Sequence, residues 1–109
     1  MIVLMIVFLF SGLLLTVLSV PMIMGEITPN GLYGFRVKKT MENPEIWYPI
    51  NAYSGKWLLA TGLVQSLAAS TIYFIPGISI DAYAYAVLAV WLGIFAVALI
   101  ASIRYLNSL

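Results

Sequence analysis

Asn30–Lys56, NGLYGFRVKKTMENPEIWYPINAYSGK, carries six of the nine charged residues of this 109-residue chain. Almost everything on either side of it is apolar. With 63% hydrophobic and 8% charged residues and a mean hydropathy of +1.06, the chain is too greasy for an ordinary soluble domain, where charged residues run near a quarter. Lipid is the solvent that suits it. The apolar sequence is enough for three helices of about 20 residues, each matched to a hydrocarbon core about 30 Å thick. The expected fold is therefore all-α: a three-transmembrane-helix bundle in a single membrane domain, residues 1–109, with a partly helical cytoplasmic loop between helices 1 and 2.

Working outward from that loop (about 25–56), the first span is read over about 1–24, an almost unbroken run of Ile, Val, Leu, Phe and Met. A cleaved signal peptide would have a basic start, a shorter apolar core and a small-residue cleavage site. Nothing basic precedes Ile2, so a retained span is expected. Pro29-Asn30-Gly31 supplies turn chemistry, since Asn and Gly accept positive φ and Pro fixes its own. The second span is read over about 57–75, ended by Pro76-Gly77. The third runs over about 82–103, with Asp81 as the N-cap whose carboxylate accepts from first-turn amides. All five basic residues lie in the first loop or after span three, so the positive-inside rule places the N-terminus outside and the loop and C-terminus in the cytoplasm of a multi-pass cell-membrane protein.

Helices in lipid associate through small residues and interhelical hydrogen bonds. Gly12, Thr16 and Ser19 on span one, Gly62, Ser66 and Ser70 on span two, and Ala82, Ala86, Ala89, Gly93 and Ala96 on span three are expected to face one another or a second copy, as in a homo-oligomer. Gln65 is the costliest buried polar group, and is expected to bond a Ser or Thr of span one, or its counterpart across a dimer axis.

Composition excludes several functions. No cysteine or histidine is present, which removes thiolate and imidazole chemistry and the usual metal ligands; neither a metal nor another cofactor is expected. No charged residue lies inside a span, so a proton relay or ion pathway is not expected. Glu26, Glu42, Glu45 and the tyrosines form no recognised nucleophile-base pattern, and an enzyme is not expected. A net charge of +1 exerts no general pull on nucleic acid.

Within the loop, Asn43-Pro44-Glu45 looks like a helix start, from which Trp47, Asn51 and Gly55 recur every four residues along one helical face, with Pro49 producing a kink or a short first turn. Tyr48, Tyr53 and Trp57 suit an interfacial aromatic belt. The ordered series Asn30, Gly34-Phe35-Arg36, Thr40, Asn43, Trp47, Asn51 and Gly55 resembles the signature of the SdpI/YfhL family of small bacterial and archaeal membrane proteins, in its short form. Val37 departs from the Thr common in that family after the arginine. The resemblance implies immunity against a secreted, membrane-active peptide toxin, and in longer members recruitment of a cytoplasmic regulator, a transcriptional repressor. Membrane lipid is the other expected partner. Arg36 offers a planar multidentate donor for a lipid phosphate or loop-closing carbonyls, and Arg36, Trp47 and Asn51 are expected to form one buried cluster. The alternative reading is a structural or lipid-binding subunit of a larger membrane complex.

Overall fold

A computed structural model describes residues 1–109 and is entirely helical: α1 (Ile2–Ile23), α2 (Lys38–Glu42), α3 (Pro44–Tyr73) and α4 (Ile80–Ser108). The chain forms a rod of 51 × 22 × 19 Å. α1 is 22 residues long, about 33 Å at 1.5 Å per residue. Pro21 sits inside its last turn, and Gly25 just beyond takes a φ of 73° to release the chain. Only glycine adopts that region without steric cost.

α3 lies between the other two long helices, packing along α1 on one side and α4 on the other. Its contact with α1 is very close. A Cβ on Gly62 would stand 2.5 Å from the Gly12 carbonyl oxygen and from Thr16 Oγ1, and a Cβ on Gly12 would stand 2.5 Å from Ser66 Oγ. Backbones approach to this degree only where side chains are missing. Gln65 closes the same interface, its Nε2 donating to the Phe8 carbonyl at 2.7 Å and to Ser11 Oγ at 2.6 Å. Ser19 is buried too, its hydroxyl bonded to the Thr16 carbonyl at 2.6 Å. At the end of the bundle away from the loop, Tyr83 is fully buried with Ala69 and Val87 and donates to the Ala69 carbonyl at 2.7 Å.

Two helices, α1 and α4, are long and apolar enough to cross a membrane by length and composition. α3 is diluted by Thr61, Gln65, Ser66, Ser70 and Thr71, and it can carry them because its neighbours shield it: Thr61, Gly62, Gln65 and Ser66 are all buried. The most apolar windows of α1 and α4 are only 11% and 17% buried, which marks outward-facing apolar helices rather than the core of a water-soluble domain. α3 begins at Pro44, where the loop's helix start is expected, and runs on past Pro49 through the expected second span as one helix.

The turn after α3 has Gly77 at φ 75°, but Asp81 is not the cap that follows. Ser79 is, its Oγ accepting from the Ala82 amide at 3.0 Å, and Asp81 lies in the first turn. α4 then continues past Ile103 to Ser108. Its inner face is Tyr83, Val87, Ala98, Ser102 and Leu106. Ala89, Gly93 and Ala96 are exposed, and a Cβ on Gly93 would meet nothing within 4 Å. Tyr83 and Val87 pack against Ala69 of α3 from the other side of α4, which turns this small-residue stripe outward.

Candidate functional site

Asn30 organises the loop through its side chain rather than through an unusual φ. Its Oδ1 accepts the amides of Leu32 at 2.8 Å and Tyr33 at 2.7 Å, while its Nδ2 donates to the carbonyls of Thr28 and Tyr33, both at 2.9 Å. Neither Asn30 nor Gly31 has positive φ; an Asx-type turn performs the reversal. The positive φ comes at Gly34, 116°, where the backbone passes over α3. A Cβ there would lie 2.7 Å from Asn51 Oδ1 and 3.1 Å from Trp47 Cη2, so both conformation and space demand glycine.

Next, the loop is fastened to α3. Asn51 Oδ1 accepts the Phe35 amide at 2.6 Å, and its Nδ2 donates to the Trp47 carbonyl at 2.8 Å. Trp47 Nε1 donates to the Ile27 carbonyl at 2.7 Å. The indole and the amide are nearly inaccessible, at 0% and 2%, and four-residue spacing on α3 aligns them under the loop. Thr40 is buried as well; its Oγ1 accepts the Val37 amide at 2.9 Å and stands 2.9 Å from the carbonyls of both Phe35 and Val37. These bonds start α2, because Val37 at the N-cap position has no side-chain acceptor of its own. Lys39 Nζ then donates to the Leu106 carbonyl at 3.1 Å, tying the loop to the last turn of α4, where a cation suits the exposed carbonyls.

Asn30, Gly34, Thr40, Trp47 and Asn51 thus come together in one knot. Gly55 lies one turn below, where a Cβ would meet Met22 Cβ and Ile23 Cγ1 at 3.0 Å, and brings α3 against the end of α1. Asn43 stands apart: it precedes α3 without capping it, and its Nδ2 donates back to the Lys39 carbonyl at 2.9 Å. Arg36 is also outside the buried cluster. Its side chain is exposed and its Nε donates to the Asn30 carbonyl at 3.1 Å, turned back to the loop's own backbone and not to Asn51. All five basic residues lie toward this end of the bundle, since α2, the start of α3 and the end of α4 meet here.

Beneath the knot a cavity of about 340 Å³ lies in the gap between α1 and α4, roofed by Tyr33–Phe35 and walled by Leu18, Met22, Leu58, Phe95, Ala98 and Leu99. Ser54, Thr61 and Ser102 are its polar edge. The Tyr33 and Ser54 hydroxyl oxygens are buried without a hydrogen-bond partner, and a polar group left so costs about 1–3 kcal/mol. Burial also pushes the Tyr33 phenol above its ordinary value, since the phenolate is the form that loses most by leaving water. Sequence reading did not single out these two residues, because a tyrosine and a serine near an interface carry no pattern until a cavity joins them. A second cavity of similar size lies farther along the same gap, lined by Phe8, Ser11, Leu14, Gln65, Leu88 and Trp91 among others.

The knot uses the residues that gave the sequence its family likeness, and a family model for the SdpI/YfhL protein family matches residues 26–106. The chain belongs to the SdpI/YfhL family. That match takes in the whole loop knot and both helices that follow, so the SdpI/YfhL region is the fastened loop together with α3 and α4 and not the loop alone. No curated protein and no solved structure matches this family member. Family membership and two apolar helices together mark it as a membrane protein.

Proposed function

We propose that this SdpI/YfhL protein is a non-catalytic binding protein of the cell membrane that protects its host against a membrane-active peptide. The observation that carries the reading is the loop knot: the motif residues Asn30, Gly34, Thr40, Trp47 and Asn51 build a defined surface on the end of a small bundle, and Arg36 stands exposed at its rim. The gap between α1 and α4 adds an apolar groove beside it. In this reading α3 crosses the bilayer as a third span, its polar face covered by α1 and α4. The N-terminus is then outside, and the basic end, with the loop and C-terminus, faces the cytoplasm. A reporter fused after Lys39 that proves to be exported would overturn that orientation.

The test of function is a challenge of cells with and without the chain by membrane-active peptides. Protection is expected, and Arg36→Ala is expected to abolish it at unchanged protein level, because an exposed side chain with one hydrogen bond costs the fold less than about 1.5 kcal/mol. Full protection by Arg36→Ala would remove the arginine from the binding surface. A signalling role, with a cytoplasmic regulator docking on the basic end, is the second reading, favoured by the exposed Arg36, Lys38 and Arg104 there. The outward stripe of Ala89 and Gly93 would suit a second copy of the chain. Stable co-purification with unrelated membrane subunits would instead favour a structural or lipid-binding subunit.

A further inference from the structure

We propose that the second cavity, midway along the gap between α1 and α4, binds a neutral alcohol on a slender apolar body, whose hydroxyl donates to the Gln65 side-chain carbonyl. Both hydrogen bonds of Gln65 run through Nε2, to the Phe8 carbonyl and to Ser11 Oγ; its Oε1 accepts none. The fully enclosed side-chain polar atoms without a partner are the Tyr33 and Ser54 hydroxyls alone, so Oε1 opens on space although its residue is only 5% exposed. Gln65 is the one residue of α3 that lines this cavity, between Ser11 and Leu14 of α1 and Leu88 and Trp91 of α4. A buried acceptor facing an apolar space calls for a donor carried on an apolar body.

Depth, charge and size choose the ligand. Ser11 adjoins Gly12, halfway along α1, so Oε1 lies at a level where the surrounding hydrocarbon supplies no water and an unpaired carbonyl is costly. Phospholipid tails reach this depth but carry no donor. The Ser11 hydroxyl is already committed to the Phe8 carbonyl at 3.1 Å. No charged side chain lines the cavity, so an ammonium donor would be buried without a counter-ion. A neutral O–H escapes that cost, and its oxygen can in turn accept from the Trp91 indole N–H on the facing wall, itself without an acceptor in the chain. A space of about 340 Å³ lies within the range of small-molecule pockets and is too small for a helix about 10–12 Å across. A chain-like alcohol is the occupant that meets all three conditions.

The experiment uses the full chain in phosphatidylcholine vesicles containing a trace of octanol with a diazirine on its chain. After irradiation, label is expected on Leu14, Leu88 and Trp91. Unlabelled octanol is expected to compete at least about three-fold better than octyl methyl ether at equal membrane concentration, the worth of one neutral hydrogen bond. Gln65→Met is expected to erase that difference. Leu88→Trp, which fills the cavity from its half-exposed rim, is expected to remove the label from Leu14, and gives a second comparison should Gln65→Met not fold. Equal competition by alcohol and ether in the parent chain, or label spread evenly over the outward residues Leu92, Ile100 and Ile103, would overturn the proposal. So would displacement of the label by a spanning leucine peptide with a central serine but not by octanol, which would assign the carbonyl to a helix partner. Protection of cells against a peptide is a separate readout, so loss of either result leaves the other standing.

Discussion

Asn51 accepts the backbone amide of Phe35 across 16 residues of sequence, at 2.6 Å and almost wholly out of contact with solvent. This bond fixes where the loop lies on α3. Removing the side chain by Asn51→Ala strands the Phe35 amide and is expected to cost about 1–3 kcal/mol, read as a lower unfolding midpoint in detergent. An unchanged midpoint would show that the loop is not held by this contact.

Gly34 and Gly31 provide an internal comparison. Gly34→Ala forces a side chain into φ 116° and against Asn51, with about 1–2 kcal/mol expected from the backbone alone. Gly31 has no positive φ and nothing within 4 Å of a built Cβ, so Gly31→Ala should leave the midpoint where it is. Equal effects at the two glycines would contradict the loop path.

The two helix glycines should likewise separate. Gly62→Ala overpacks the contact with Gly12 and Thr16, and about 1–3 kcal/mol of destabilisation is expected. Gly93 faces outward with open space around it, so Gly93→Ala should be neutral or stabilise the monomer by about 0.5–1 kcal/mol. A loss of stability at Gly93 that depends on protein concentration would instead reveal a second copy packed on that stripe.

Tyr33 yields a pH prediction. Its phenol is raised from the usual value of 10.0 by burial, so the folded chain holds that proton after the unfolded chain has released it. The contribution to stability is then fully present below pH 10.0 and is lost as pH rises through the folded value. A midpoint that falls less steeply above this pH in Tyr33→Phe than in the parent checks it; identical slopes would show that the phenol titrates normally.

Apolar runs and breakers made much of the architecture readable, because lipid imposes long helices and Pro76-Gly77 cannot continue one. The Gly12 and Gly62 contact and the Gln65 bond followed from the shortage of other adhesive chemistry in hydrocarbon. What escaped was rotation and fine placement. Ala89 and Gly93 share a face by spacing, yet spacing does not say whether that face turns inward, and the bulk of Tyr83 and Val87 decides that it does not. Asp81 and Ser79 are both good caps, and only the backbone path at Ile80 selects the serine. Arg36 donates to the Asn30 carbonyl and not to the buried Asn51, a choice of backbone partner invisible in residue types. The Tyr33 and Ser54 pair needs three helices and the loop in place before it exists at all.

Because α3 is one unbroken helix, the half gripped by α1 through Gly62 and the half that anchors the loop through Trp47 and Asn51 move as a single lever. Gly62 stands 18 residues from Pro44, about 27 Å along the axis. A tilt of about 5° at the glycine fulcrum would therefore swing the loop platform by roughly 2 Å, more than a hydrogen bond tolerates. Whatever wedges the groove between α1 and α4 can thus be felt at the far surface without any part of the helix unfolding.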